Sequence, residues 1–187
     1  DNGTNKSVTS HLNGKLFKGG KAEPIQSGIR VPLIASWPGQ IQPEVTSQIV
    51  EPSDFLATLA ELAGKKVPEE WQHDGVSFAP AIHKHPGAPP RDWAFFWYDP
   101  RPGWDKMAFS RAIFALDHKY KLFSDGRLFA IDGIDYKEEL LDPAQFTAEA
   151  KIAKAKLEKV IAKMMQPPIS KGAQIEVNAY GNPISKK

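Results

Sequence analysis

Before residue 92 the chain offers one buried-strand signal and one helix, too little to enclose a core of its own. The strand signal is Val31 to Trp37 (VPLIASW), a short apolar run closed by the Pro38-Gly39 turn. The helix runs from Val50 to Gly64. Ser53, after Pro52, is placed to cap it, and Gly64 stands where a C-terminal stop belongs. Phe55, Leu56, Leu59, Leu62 and Ala63 form its apolar stripe. This half therefore needs a larger sheet supplied from elsewhere, and without one it should expose apolar surface or associate with another chain.

Residues 1–30 are rich in Gly, Asn, Ser and Lys and read as a long loop. Loops of that length are usually functional or disordered. Residues 65–92 look irregular, although Gly75 to Phe78 is placed to pack back onto the first part. The proline-rich stretch 86–90 marks a boundary between subdomains. Beyond it the segments Trp93–Tyr98, Ala108–Leu116, Lys119–Phe123 and Arg127–Asp132 have strand character, with Asp117-His118 as a hairpin turn. Thr147 to Met165 is the longest helix. Ile152, Leu157, Val160, Ile161 and Met164 recur at helical spacing, the intervening lysines form its solvated face, and Pro167-Pro168 ends it. The second half is thus an antiparallel sheet of about four strands covered by one helix, an α+β unit. The domain expectation is 1–85, then 86–166, then a polar tail at 167–187.

The 187 residues are 41% hydrophobic and 25% charged, so the chain is globular rather than disordered. Lys and Arg exceed Asp and Glu by 24 − 22 = 2, which gives no electrostatic reason to expect nucleic acid or an anionic membrane as partner. No apolar run approaches the roughly 20 residues of a membrane span. The absence of cysteine excludes disulfides, zinc–thiolate sites and cysteine nucleophiles within these residues.

Several residues have the chemistry of a site. Asp1 and Asn2 place a carboxylate and an amide oxygen side by side, donors that suit calcium or magnesium, although Asp-Asn-Gly is also a common turn. Lys21 follows Gly19-Gly20, so its ammonium can approach an anion closely; Lys15 and Lys18 are neighbours that compete for the role. Arg30, in Gly28-Ile29-Arg30-Val31-Pro32, suits a structural ion pair better than an anion site. His11 lies between the metal pair and Lys21, where it faces either a substrate or solvent. His83-Lys84-His85 is assigned no function. Trp97, Tyr98, Arg101 and Trp104 suit either a sugar- or aryl-binding cleft or ordinary packing between sheet and helix.

In combination, Asp1-Asn2-Gly3, Gly20-Lys21, Gly28 to Ile34 and Trp37-Pro38-Gly39 resemble the formylglycine-dependent sulfatases of the alkaline phosphatase superfamily. The resemblance continues through Asp54-x-x-x-Thr58-Leu59-x-x-Leu62-Ala63-Gly64, through Asp74-Gly75-Val76-Ser77 and Arg91-Asp92, and more loosely through Tyr120-Lys121-Leu122 and Glu139 to Pro143. It implies a fold: the end of a sulfatase α/β catalytic domain followed by the small α+β subdomain. It implies that Asp1 and Asn2 ligate one calcium ion completed by upstream ligands. It implies that Lys21, nine residues before Arg30, contacts the substrate sulfate, which selects it over Lys15 and Lys18. His11 is carried as a second substrate-facing residue. The substrate would be a small sulfate ester or a sulfated glycan, and the location periplasmic or secreted.

The chain also departs from the family. Gln26-Ser27-Gly28 stands where many members have Glu-Gly-Gly, and no Cys/Ser-x-Pro-x-Arg motif supplies the formylglycine. The chain therefore reads as beginning within a longer protein whose upstream half carries the nucleophile, and as inactive alone. Two rivals stay open. One is a phosphonate- or phosphate-ester hydrolase of the same superfamily, in which Asp-His would replace Asp1-Asn2. The other is a non-catalytic module that binds an anionic glycan or a partner.

Overall fold

A hairpin opens the fold where the polar composition gives no sign of one. In the computed structural model, which describes residues 3–12, 14–83, 89–98 and 112–166, β1 (Thr9–Leu12) pairs antiparallel with β2 (Lys15–Lys18). Gly14 turns the chain at φ 77°, a left-handed conformation that glycine adopts without steric cost. The expected long loop over 1–30 is corrected accordingly. The hairpin is held from outside: the Phe17 ring meets Tyr136 edge-on at 5.5 Å, and Lys15 Nζ bonds Asp135 Oδ2 at 2.6 Å. Such long-range partners leave no periodic trace in a four-residue strand. A single helical turn, α1 (Gln26–Ile29), follows.

The expected strand at Val31–Trp37 does not form; these residues run as irregular chain. Ile34 is 87% exposed, and Val31, Leu33 and Trp37 are exposed as well. A strand exists by pairing its amides with a neighbour, and no described strand pairs with this run. The helix does form, as α2 (Asp54–Leu62), ending at Gly64 with φ 65° and a Lys65 amide bond to the Ala60 carbonyl. Two details differ from expectation. Ser53 makes no side-chain cap; the Asp54 carboxylate instead accepts from the Glu51 amide at 2.9 Å. The apolar stripe points outward, with Leu59 62% exposed and Phe55 and Leu56 exposed, while Asp54 and Thr58 are buried. The Gly75–Phe78 segment does pack back: the Val76 and Phe78 amides donate to Asp54 Oδ1 and Thr58 Oγ1, and the Phe78 ring meets Phe55 at 5.5 Å. The short α3 (Ala79–His83) follows.

The second half is a five-stranded antiparallel sheet in chain order: β3 (Ala94–Tyr98), β4 (Ala112–Leu116), β5 (Tyr120–Phe123), β6 (Leu128–Asp132) and β7 (Lys137–Leu140). The β4–β5 turn is fixed by Asp117, whose Oδ1 accepts from the Lys119 and Tyr120 amides. The fifth strand, with the sequence KEEL, was not expected, because its charged residues resemble a solvated loop. Helix α4 (Ala148–Met164), capped by Thr147 Oγ1 on the Ala150 amide, covers one face. Ala115, Leu122 and Leu128 from the sheet and Ala150, Leu157 and Val160 from the helix make the core. Ile152 belongs to the helix's outer face and is 72% exposed, contrary to its place in the expected stripe. The other face of the sheet carries Phe96, Phe114, Phe123 and Phe129 as a run of ring contacts at 4.8–5.6 Å. The proline-rich boundary falls largely on residues 84–88, outside the described residues.

Leu157 is wholly buried at the centre of the helix–sheet core. Leu157→Ala in the intact protein should lower unfolding free energy by about 2–5 kcal/mol, the usual cost of a core cavity. Urea denaturation would measure it, and a midpoint matching the wild type would contradict this account of the core.

Candidate functional site

Glycine packing builds the region around Lys21. A Cβ on Gly3 would lie 1.9 Å from the Ser27 carbonyl oxygen, and one on Gly28 would lie 2.2 Å from the Glu23 oxygen. Only glycine permits these backbone approaches. The approach carries two hydrogen bonds: the Gly3 amide donates to the Gly28 carbonyl at 2.9 Å, and the Lys21 amide donates to the Thr4 carbonyl at 3.0 Å. The irregular chain that begins at Gly3 is thereby stitched to the segment bearing Lys21. The Lys21 side chain is exposed, with its ammonium available to an anion. Its neighbour Ala22 has φ 68°, an uncommon conformation for a residue with a Cβ.

Asp1 and Asn2 lie outside the described residues. Among the described residues, no group of three or more His, Cys, Asp or Glu side chains is placed to hold a metal ion. His11 sits on β1, is exposed, and pairs in register with Leu16. Lys15 is committed to Asp135, whereas Lys18 is exposed on β2. Arg30 is structural: its Nη1 donates to the Gly133 carbonyl and its guanidinium lies 5.3 Å from the Tyr136 ring centroid. Trp97 is 61% exposed and so does not pack between sheet and helix; Arg101 and Trp104 lie outside the described residues.

The segment after Lys21 docks on the β6–β7 end of the sheet. Gln26, 4% exposed, donates from Nε2 to the Asp132 and Lys137 carbonyls at 3.0 and 3.2 Å. Its amide donates to Glu138 Oε1 at 2.8 Å. Lys121, 0% exposed, donates to Glu138 Oε2 and to the Pro24 carbonyl at 2.9 Å, amid the rings of Phe114, Phe123 and Phe129. Burial lowers the Lys121 pKa, against the opposing pull of Glu138. The pairing of Lys121 with Glu138 was missed in the sequence because a charged residue in a strand ordinarily reads as solvated. The place of Lys121 between Tyr120 and Leu122, next to aromatic positions, was the available signal.

The amide nitrogen of Gln26 matters to its role. A carboxylate there would turn acceptors toward two carbonyl oxygens and remove both donors. Gln26→Glu should cost roughly 2 kcal/mol. Thermal unfolding of the intact protein would report it, and an unchanged midpoint would rule this packing out.

A second buried ionic cluster ties the two halves. Arg91 donates from Nη2 to Asp54 Oδ1 at 2.6 Å and to the Asp74 carbonyl at 2.8 Å, and from Nε to both Asp54 oxygens. Its Nη1 lies 3.0 Å from Glu51 Oε2 without hydrogen-bond geometry, an ion pair only. Glu51 also accepts from the Phe95 amide at 2.9 Å. Burial raises the Glu51 pKa, and Arg91 offsets this only in part.

Residues 24–166 match the protein family described as N-sulphoglucosamine sulphohydrolase, C-terminal. The chain is 35% identical over 146 residues to arylsulfatase A of Bos taurus, covering 77% of this chain and 26% of that protein. It is 33% identical over 130 residues to human arylsulfatase A, covering 69% and 23% respectively. A human steryl-sulfatase is 41% identical over 70 residues, 36% of this chain and 12% of that protein. The chain thus spans about a quarter of the length of the arylsulfatases A that it matches. No solved structure matches it. Taken with the glycine-packed Lys21 segment and the small α+β domain, the match over 24–166 shows that the chain belongs to the sulfatase family, as a sulfatase C-terminal portion.

Proposed function

We propose that the chain is the sulfate- and calcium-binding C-terminal portion of an enzyme that hydrolyses sulfate esters. The observation that carries this reading is the pair of hydrogen bonds, Gly3 to Gly28 and Lys21 to Thr4, that joins the residues just after Asp1-Asn2 to the lysine. The carboxylate of Asp1 and the amide oxygen of Asn2 are hard donors suited to calcium, which other ligands from the remainder of the protein would complete. When bound, the ion supplies fixed positive charge against sulfate oxygens. Lys21 adds an ammonium on the same anion and neutralises charge that builds on its oxygens as the S–O bond breaks. The nucleophile, a formylglycine, belongs to the rest of the protein, and this chain alone is inactive.

The exposed run at Val31–Trp37 and the outward stripe of α2 fit the same reading: they would complete the α/β catalytic domain by pairing with strands of that upstream half. No described helix is long and apolar enough to cross a membrane. Export to the periplasm or the exterior belongs with this proposal. The substrate is a small sulfate ester or a sulfated glycan.

Asn2, in place of a histidine, favours sulfate over phosphate esters as the substrate. Matched assays of aryl sulfate and aryl phosphate on the full-length protein, with and without a calcium chelator, test it. Chelator-sensitive turnover of the sulfate is expected. Faster turnover of the phosphate would indicate the phosphohydrolase instead, and no turnover of either would indicate a binding module.

A further inference from the structure

Lys121 and Glu138 stand on the C-terminal sheet, yet their polar atoms are spent on the segment that bears Lys21. Lys121 Nζ bonds the Pro24 carbonyl at 2.9 Å, three residues beyond Lys21. The Glu138 carboxylate bridges the Lys121 ammonium and the Gln26 amide. At its other end the segment is fixed by the Lys21 amide on the Thr4 carbonyl. Residues 21–26 are therefore clamped at both ends, and between the clamps Ala22 is held at φ 68°. A residue with a Cβ keeps such a conformation when its surroundings over-determine it, and such strain collects at functional sites.

Burying an ammonium among three phenylalanine rings is costly unless the charge is paired and hydrogen-bonded. An apolar side chain would fill this sheet face at less cost. What a lysine adds is a reach across to the backbone of the Lys21 segment. We infer that Lys121 and Glu138 are positioning residues, which hold the Lys21 ammonium where the sulfate binds by clamping residues 24–26 to the sheet. This inference rests on the proposed role of Lys21.

A double-mutant cycle in the full-length protein tests it, with an aryl sulfate as substrate and thermal unfolding of every variant as control. Lys121→Met should lower kcat/KM by about tenfold or more, mainly in kcat, because small misplacements of a catalytic group cost up to about a hundredfold. In a Lys21→Ala background the same change should cost at most about twofold, since nothing remains to position. Glu138→Gln, which keeps an acceptor for the Gln26 amide but removes the charge facing Lys121, should show the same pattern more weakly. An equal loss in both backgrounds would overturn the inference, as would a folded Lys121→Met variant with wild-type kcat. Failure of both Lys121→Met and Glu138→Gln to fold would overturn it as well, by making the pair a requirement of the core. Wild-type turnover by Lys21→Ala would sink the role of Lys21 itself, a separate result from any of these.

Discussion

Lys21→Ala in the full-length protein should lower kcat/KM for an aryl sulfate by about 10²–10³-fold, the effect of removing one preorganised charge-stabilising group. The fold should not change. The Lys21 side chain is exposed, its bond to the Thr4 carbonyl runs through the backbone amide, and alanine keeps that amide. Most of the loss should appear in kcat, because charge on the sulfate oxygens grows as the S–O bond breaks. A rise in KM with kcat intact would mean that Lys21 binds the ground state only, and the proposed role would have to be withdrawn. His11→Ala is the internal comparison. His11 is exposed on the hairpin, and its removal should leave kcat unchanged unless a substrate reaches β1.

The sheet–helix half was legible because its apolar residues recur at the periods of strands and helices. β3 to β6 and α4 were all foreseen, and Asp117 was recognised as a turn residue. β7 escaped because Glu138 and its neighbours look solvated, whereas Glu138 is turned inward to Lys121. Lys121 escaped for the same reason. Periodicity reports apolar burial, and a buried ion pair does not register in it. The Val31–Trp37 run shows the opposite failure: its composition asks for a strand, but a strand needs a partner, and none of the described residues supplies one. α2 was expected to start at Val50 but starts at Asp54, and its facing was wrong, since its polar Asp54 and Thr58 are buried by Arg91 and the Phe78 amide. Around Lys21 the glycines were visible as flexibility. Their actual use, close approach of Gly3 to the distant Ser27 and of Gly28 to Glu23 across a local turn, depends on the folded backbone path and could only be seen in three dimensions.

Arg91→Leu should be the most destabilising single change among the described residues, at about 3–5 kcal/mol, the usual cost of removing one partner from a buried ion pair. Arg91 and Asp54 are almost fully buried, and Glu51 is partly buried. Leucine cannot answer the Asp54 oxygens, the Asp74 carbonyl or Glu51, and it also loses the guanidinium contact with the Trp93 ring at 4.6 Å. The loss should depend on pH, with a definite sign. Burial already holds the Glu51 pKa above its ordinary value, and Arg91 opposes the rise. Without Arg91, the folded-state pKa of Glu51 moves further above its unfolded value near 4. The folded variant then binds more protons than the unfolded chain, so its stability falls as pH rises from about 4 to 7. The deficit relative to wild type should shrink toward acid. Urea unfolding of both proteins at pH 4.5 and pH 7 would measure this. A deficit independent of pH would mean that Arg91 contributes by packing against Trp93 rather than by opposing the protonation of Glu51.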